Sequence, residues 1–263
     1  MDRVFSKDGT FIAYQKVGNG PALIIVDGAL CHRKFGPGSS IARQLAGSFS
    51  VFTYDRRGRG DSGNTLPYAV DREVEDLAAV IKSAGGAASL FGISSGAALA
   101  LEAANQGLPV RKLALFEAPF IVDGSRPPLP DDYLARLNSL LADNRRGEAV
   151  DLFMRLVGVP SIFIRLMRLM PSWAKLKAVA HTLPYDITIV QDNQQGKPYT
   201  KDRWPRVTVP TLVVDGGKSP EWMRHAMSAL TGVLPNATQR TLEGQTHMVK
   251  AKVIAPVLAE FCA

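Results

Sequence analysis

Three residues, Gly92, Ile93 and Ser94, separate a run that reads as a buried strand (88–91) from one that reads as a helix (95–105). A chain that passes from strand to helix this abruptly holds the joining residue in a strained backbone conformation. Larger side chains two positions to either side would clash. Glycine stands at both places, Gly92 and Gly96, and Ala97, Ala98 and Ala100 allow the helix to approach the sheet closely. This is G-x-S-x-G in the strand–turn–helix setting that makes it a nucleophile elbow. There the helix N-terminus aims unpaired N–H groups and a positive partial charge at the Ser94 oxygen, favouring negative charge that develops beside it. Taken alone, the pentapeptide also fits a plain glycine- and serine-rich turn at a strand end.

The rest of the chain supplies the sheet this turn needs. Short apolar runs alternate with helix-period segments, which is the pattern of a mostly parallel sheet covered by helices on both faces. Eight runs read as strands: 3–5, 11–16, 22–26, 51–54, 88–91, 112–116, 211–214 and 238–242. The first two flank a Lys7-Asp8-Gly9 turn and read as an antiparallel hairpin. Helical spacing marks 72–83, 95–105, 220–230 and 251–261. Between 116 and 211 no convincing buried strand occurs, while Leu134, Leu137, Leu140 and Leu141, and then Val150, Phe153, Met154 and Val157, recur at helical spacing. Unstructured connections of such length are rare, so the interval is expected to be a helical cap inserted after the sixth strand. The expected division is an α/β core from 1–118 and 206–263, with the cap at 119–205.

A nucleophilic serine needs a base, because a free hydroxyl is scarcely ionised at neutral pH whereas imidazole titrates close to it. Four histidines are present, His32, His181, His225 and His247. His247, in the loop between the last strand and the C-terminal helix, can be carried back over the sheet edge, and the order serine then late histidine fits this arrangement. His225 falls in a surface helix. His181 lies in the cap, as core, surface or pocket lining.

Composition removes several function classes. With 263 residues, 46% of them hydrophobic, the chain can bury one sizeable core as a single domain. The 31 Lys and Arg against 24 Asp and Glu give +7, but the charges are dispersed, so no nucleic-acid partner is expected. No stretch approaches the roughly 18–20 apolar residues of a membrane span. The opening residues lack the apolar run of a secretory signal, and Cys31 and Cys262 read as free thiols; the expected location is the cytoplasm. There is no Cys/His cluster, no H-E-x-x-H and no G-x-G-x-x-G after a strand, so neither metal nor other cofactor is expected. Monomer and homodimer both remain open.

The elbow, the late histidine and the turn Tyr54-Asp55-Arg56-Arg57-Gly58-Arg59-Gly60-Asp61-Ser62 together resemble the α/β-hydrolase superfamily over nearly the whole chain. The resemblance implies a catalytic Ser–His–acid triad, with the acid usually about three residues beyond a glycine after the seventh strand. Here that position holds Ser219 or Pro220, and neither is an acid. Some members take the acid after the sixth strand, among them the zearalenone lactonases, which the GISSGA elbow and Asp27-Gly28 also resemble. Glu117 is then the leading acid and Asp215 the alternative.

The resemblance further implies an oxyanion hole from the Ser95 N–H and from Ala29 or Gly28. Asp27, Leu30, His32, Met167, Trp173 and His181 are candidates for the substrate pocket, although Met167 and Trp173 fit the cap's own core as well. The implied activity is hydrolysis of a small, largely apolar carboxylic ester or lactone. Cofactor-free carbon–carbon hydrolysis, lyase or perhydrolase chemistry on the same fold is the alternative, as is a weakly catalytic binder.

Overall fold

The computed structural model describes residues 2–263. The strands are β1 (Asp2–Phe5), β2 (Phe11–Val17), β3 (Ala22–Val26), β4 (Ser50–Tyr54), β5 (Ala88–Ile93), β6 (Val110–Phe116), β7 (Thr211–Gly216) and β8 (Ala237–Leu242). They form one sheet in the order β1-β2-β4-β3-β5-β6-β7-β8. The β1–β2 and β2–β4 pairs are antiparallel and the remaining pairs parallel. The helices are α1 (Gly38–Leu45), α2 (Val70–Ser83), α3 (Ser95–Asn105), α4 (Tyr133–Ala142), α5 (Arg146–Leu156), α6 (Ser161–Met167), α7 (Ser172–Val179), α8 (Leu183–Val190), α9 (Glu221–Val233) and α10 (Ala251–Cys262). All eight strands expected from sequence are present, and α4 to α8 form the helical cap between β6 and β7.

The central strands are continuous apolar runs because successive side chains enter different cores. In β3, Ile24 and Val26 join the cluster that includes Val74, Leu77, Leu99 and Leu230 from α2, α3 and α9. Leu23 and Ile25 join the opposite cluster, with Ile41 and Leu45 of α1 and Ile254 and Leu258 of α10. In β6, Leu113 and Leu115 face the first cluster, and Ala114 and Phe116 the second. A strand buried on both faces leaves no polar side to show in its sequence.

The cap has its own core, in which Leu129, Tyr133, Leu137, Val150, Ile164, Trp173 and Leu176 pack together with Leu30 from the loop after β3. Helix α8 belongs to two cores at once. Leu183 and Ile187 enter the cap cluster, while Ile189 and Val190 join the sheet cluster around α3. Six of its eight residues are buried, so no solvated face marks it as an amphipathic helix. For that reason α8 is invisible to helical periodicity. The short α1, only eight residues long, also lies outside the sequence-based helices.

Candidate active site

Strand register sets the frame. Ile93 of β5 pairs with Phe116 of β6, and Phe116 with Val214 of β7, so the next residues Ser94, Glu117 and Asp215 come side by side at the carboxyl ends of three neighbouring strands. Ligand sites of open α/β sheets form at this edge.

Ser94 sits between β5 and α3 with φ 56° and ψ −127°, a strained conformation for a side-chain-bearing residue. Its N–H donates to the Phe116 carbonyl (2.9 Å) and its own carbonyl accepts from the Ala97 N–H (2.8 Å). A Cβ on Gly92 would meet backbone of Gly96 and Ala97, and one on Gly96 would collide with the carbonyls of Val26 and Asp27. Both elbow glycines are therefore required by close approach. The loop after β3 lies directly against the serine: a Cβ on Gly28 would be 2.9 Å from that of Ser94.

Glu117 is fully buried and has φ 45°. Its Oε1 accepts from the Gly216 N–H and its Oε2 lies 2.7 Å from Nδ1 of His247, whose ring stacks near Phe116. A carboxylate at Nδ1 selects the tautomer with the proton there and leaves the Nε2 lone pair available. No hydrogen bond joins Ser94 Oγ to the imidazole here; in unliganded sites such bonds are often long.

Asp215, the alternative acid, does not reach His247. It points to the edge strand, where its Oδ1 accepts from Thr241 Oγ1 (3.0 Å) and Gln239 Nε2 (3.2 Å). Asp215 is in register with Thr241 of β8, so the two side chains share one face of the sheet.

The candidate pocket residues scatter. Leu30 (φ 61°) and Trp173 are buried in the cap cluster, and Met167 packs against it. Exposed Phe163, Leu166, Leu169 and Met170 lie on and after α6. His181 sits beside the Gly58 turn, where burial and Arg146 lower its pKa, and its Nδ1 has no partner. His32 packs near Phe35, and burial lowers its pKa too, with Asp55 opposing. Asp27 turns its Oδ2 towards Gly38 at the start of α1, while its Oδ1 has no partner. Burial pushes its carboxyl up to about 7, although the Gly38 N–H, Arg59 and Arg56 oppose the shift.

A buried ionic network underlies the elbow, and sequence reasoning did not find it. Arg56, Arg57 and Arg59 are almost wholly buried. Arg56 forms a double hydrogen bond with Glu73 (2.6 and 2.7 Å), and Arg57 a similar one with Asp76 (2.8 and 2.7 Å). Asp186 of α8 receives Arg56 on Oδ1 (2.8 Å) and Arg59 on Oδ2 (2.7 Å). Burial alone would raise the Asp186 pKa, but Arg59 and Arg56 outweigh it and hold the carboxyl below the usual range. The available signal was a lone acid in the apolar stretch Leu183-Pro184-Tyr185-Asp186-Ile187-Thr188-Ile189-Val190, because a buried carboxylate demands a cationic partner. Among the described residues no group of three His, Cys, Asp or Glu is placed to hold a metal ion, and no helix is long and apolar enough to cross a membrane.

A strained serine on a strand–helix turn and a carboxylate-bound histidine lie at the carboxyl edge of one mostly parallel α/β sheet. The model of the alpha/beta hydrolase family matches residues 28–249, and the chain belongs to that family. It is 52% identical to an alpha/beta hydrolase from Sphaerobacter thermophilus, over 100% of both chains, with a TM-score of 0.92. It is similar in fold to an enol-lactonase from Burkholderia xenovorans (16% identity, 99% of each chain, TM-score 0.72). A meta-cleavage product hydrolase from Pseudomonas fluorescens shares the fold as well (15% identity, 99% of this chain and 97% of the other, TM-score 0.66). No curated protein matches the sequence.

Proposed function

We propose that the protein hydrolyses carboxylic esters or lactones of small, largely apolar molecules through an acyl-enzyme on Ser94. The observation that carries this reading is the 2.7 Å contact between His247 Nδ1 and Glu117 Oε2, at the strand end next to the elbow. With Nδ1 occupied, Nε2 takes the proton of Ser94 Oγ as the oxygen attacks the substrate carbonyl. The Oγ–C bond forms, the carbonyl electron pair moves to oxygen, and the N–H groups of Ser95 and of Ala29 or Gly28 hold the oxyanion. Collapse breaks the bond to the leaving alkoxide, which takes the proton from Nε2. Water then attacks the acyl carbon as His247 removes its proton, and collapse returns that proton to Ser94 and frees the carboxylic acid. Glu117 keeps the ring in place and stabilises the imidazolium without itself being protonated.

In this reading residues 1–118 and 206–263 carry the chemistry and 119–205 covers it. A fluorophosphonate probe, mapped by mass spectrometry and followed by an ester and lactone panel, tests the proposal. Labelling at Ser94, lost in Ser94→Ala, together with a carboxylic acid product supports it. Labelling without turnover of any ester or lactone moves the chemistry to another bond, and an unlabelled but folded protein overturns the serine mechanism.

A further inference from the structure

We infer that Asp186, on cap helix α8, is a positioning residue that sets both arms of the oxyanion hole from the cap. The inference rests on the hydrolase reading above for the identity of the hole, and on the following geometry for everything else.

The two carboxylate oxygens of Asp186 serve different arms. Oδ1 accepts from the hydroxyl of Ser95 at 2.6 Å, and Ser95 is the residue whose backbone N–H forms one side of the hole. Arg56 Nη1 ties the same corner, reaching Asp186 Oδ1 (2.8 Å), Ser95 Oγ (3.3 Å) and the Asp27 carbonyl (3.5 Å). Oδ2 accepts from Arg59 Nη2 (2.7 Å), and the other terminal nitrogen of Arg59 donates to the Gly28 carbonyl (2.7 Å). In a trans peptide the carbonyl and the following N–H point in opposite directions. Holding the Gly28 carbonyl on Arg59 therefore turns the Ala29 N–H away from Arg59, which fixes the second arm. Arg59 Nε also reaches Thr182 Oγ1 (3.1 Å), so both of its attachments beyond the loop belong to the cap.

Stability alone gives a weak reason for such an arrangement. Buried ion pairs are often replaceable by apolar residues without loss of stability, whereas hydrogen-bond donors in an oxyanion hole act only when held in the correct place. Leu30, which follows the second arm, is itself buried in the cap core. The cap thus grips this loop twice, by packing at Leu30 and by charge at Gly28.

The test compares Asp186→Asn and Ser95→Ala with the wild type on one activated ester, together with a trifluoromethyl ketone that forms an oxyanion on Ser94. Ser95→Ala keeps the backbone N–H and the charges of the network, and removes only the hydroxyl that donates to Asp186 and accepts, at longer range, from Arg56 Nη1. The expected result is a 10- to 100-fold fall in kcat with KM within about threefold, since losing a donor outright costs about 10²–10³ and misplacing one costs less. The affinity for the ketone should weaken by the same factor as kcat/KM. A purely structural role would lower thermal stability and leave both quantities at wild-type values below the melting range, and that result overturns the inference.

Hydrogen exchange of peptides covering 27–31 and 94–98, measured without substrate, gives a readout independent of activity. Faster exchange in both segments of Asp186→Asn supports the inference, and unchanged exchange overturns it. If the wild type is neither labelled at Ser94 nor active on esters, the hydrolase reading falls, and exchange in those two segments decides the positioning role by itself.

Discussion

Glu117 and Asp186 are both buried carboxylates beside the same elbow, yet their partners differ in kind. Glu117 is met by one backbone N–H and one imidazole. Asp186 is met by two guanidinium groups and a hydroxyl. An arginine beside Glu117 would neutralise the charge that a transient imidazolium needs. Two arginines beside Asp186 make it a fixed brace whose charge is already committed. Asp27 completes the comparison, since one of its oxygens has no partner and burial is offset only in part. A buried carboxylate is thus a base-orienting group, a brace or an unfavourable charge according to what surrounds it.

The largest expected effect comes from removing the groups that the Glu117 side of the comparison serves. Ser94→Ala and His247→Ala should each lower kcat by about 10⁵–10⁶, the scale seen when a triad member is deleted. Activity that persists in Ser94→Ala at the wild-type level would place the chemistry elsewhere. Next, Glu117→Gln should cost about 10³–10⁴ in kcat by disturbing the histidine tautomer, whereas Asp215→Asn should stay within about tenfold, the step that 1.4 kcal/mol buys in a rate. If the two variants exchanged ranks, Asp215 and not Glu117 would be the acid.

Asp27 provides a test by pH. Its folded pKa of about 7 lies above the ordinary value of 3.8. As pH rises from 4 to 7 the unfolded chain loses this proton while the folded one keeps it, so stability falls across that window and the full penalty persists above it. The difference corresponds to something on the order of 4 kcal/mol. Urea unfolding at pH 4 and pH 8 should therefore show Asp27→Asn gaining on the wild type at the higher pH; parallel behaviour would mean that Asp27 is better partnered than its surroundings indicate. The smallest effect on turnover is expected from Leu137→Ala. A cavity in the cap core should cost about 2–5 kcal/mol of stability while kcat in the folded range changes only a few-fold. A larger fall would show that general cap integrity, rather than the Asp186 link, governs the site.

Local pattern carried much of this protein. Continuous apolar strands, the paired glycines at 92 and 96, and a histidine after the last strand are all features of neighbouring residues, and they foretold the sheet, the elbow and the loop that bears His247. The choice between Glu117 and Asp215 was not of that kind. Both follow apolar strand residues at the same level of the sheet, and only the direction of each side chain separates them. Asp186 was harder still. It lies 130 positions from Arg56 and 91 from Ser95, on a helix buried all round that shows no period. Hydrophobic periodicity records which face of an element is dry. It does not record which charges meet inside, because those partners are brought together only when the cap folds back over the sheet.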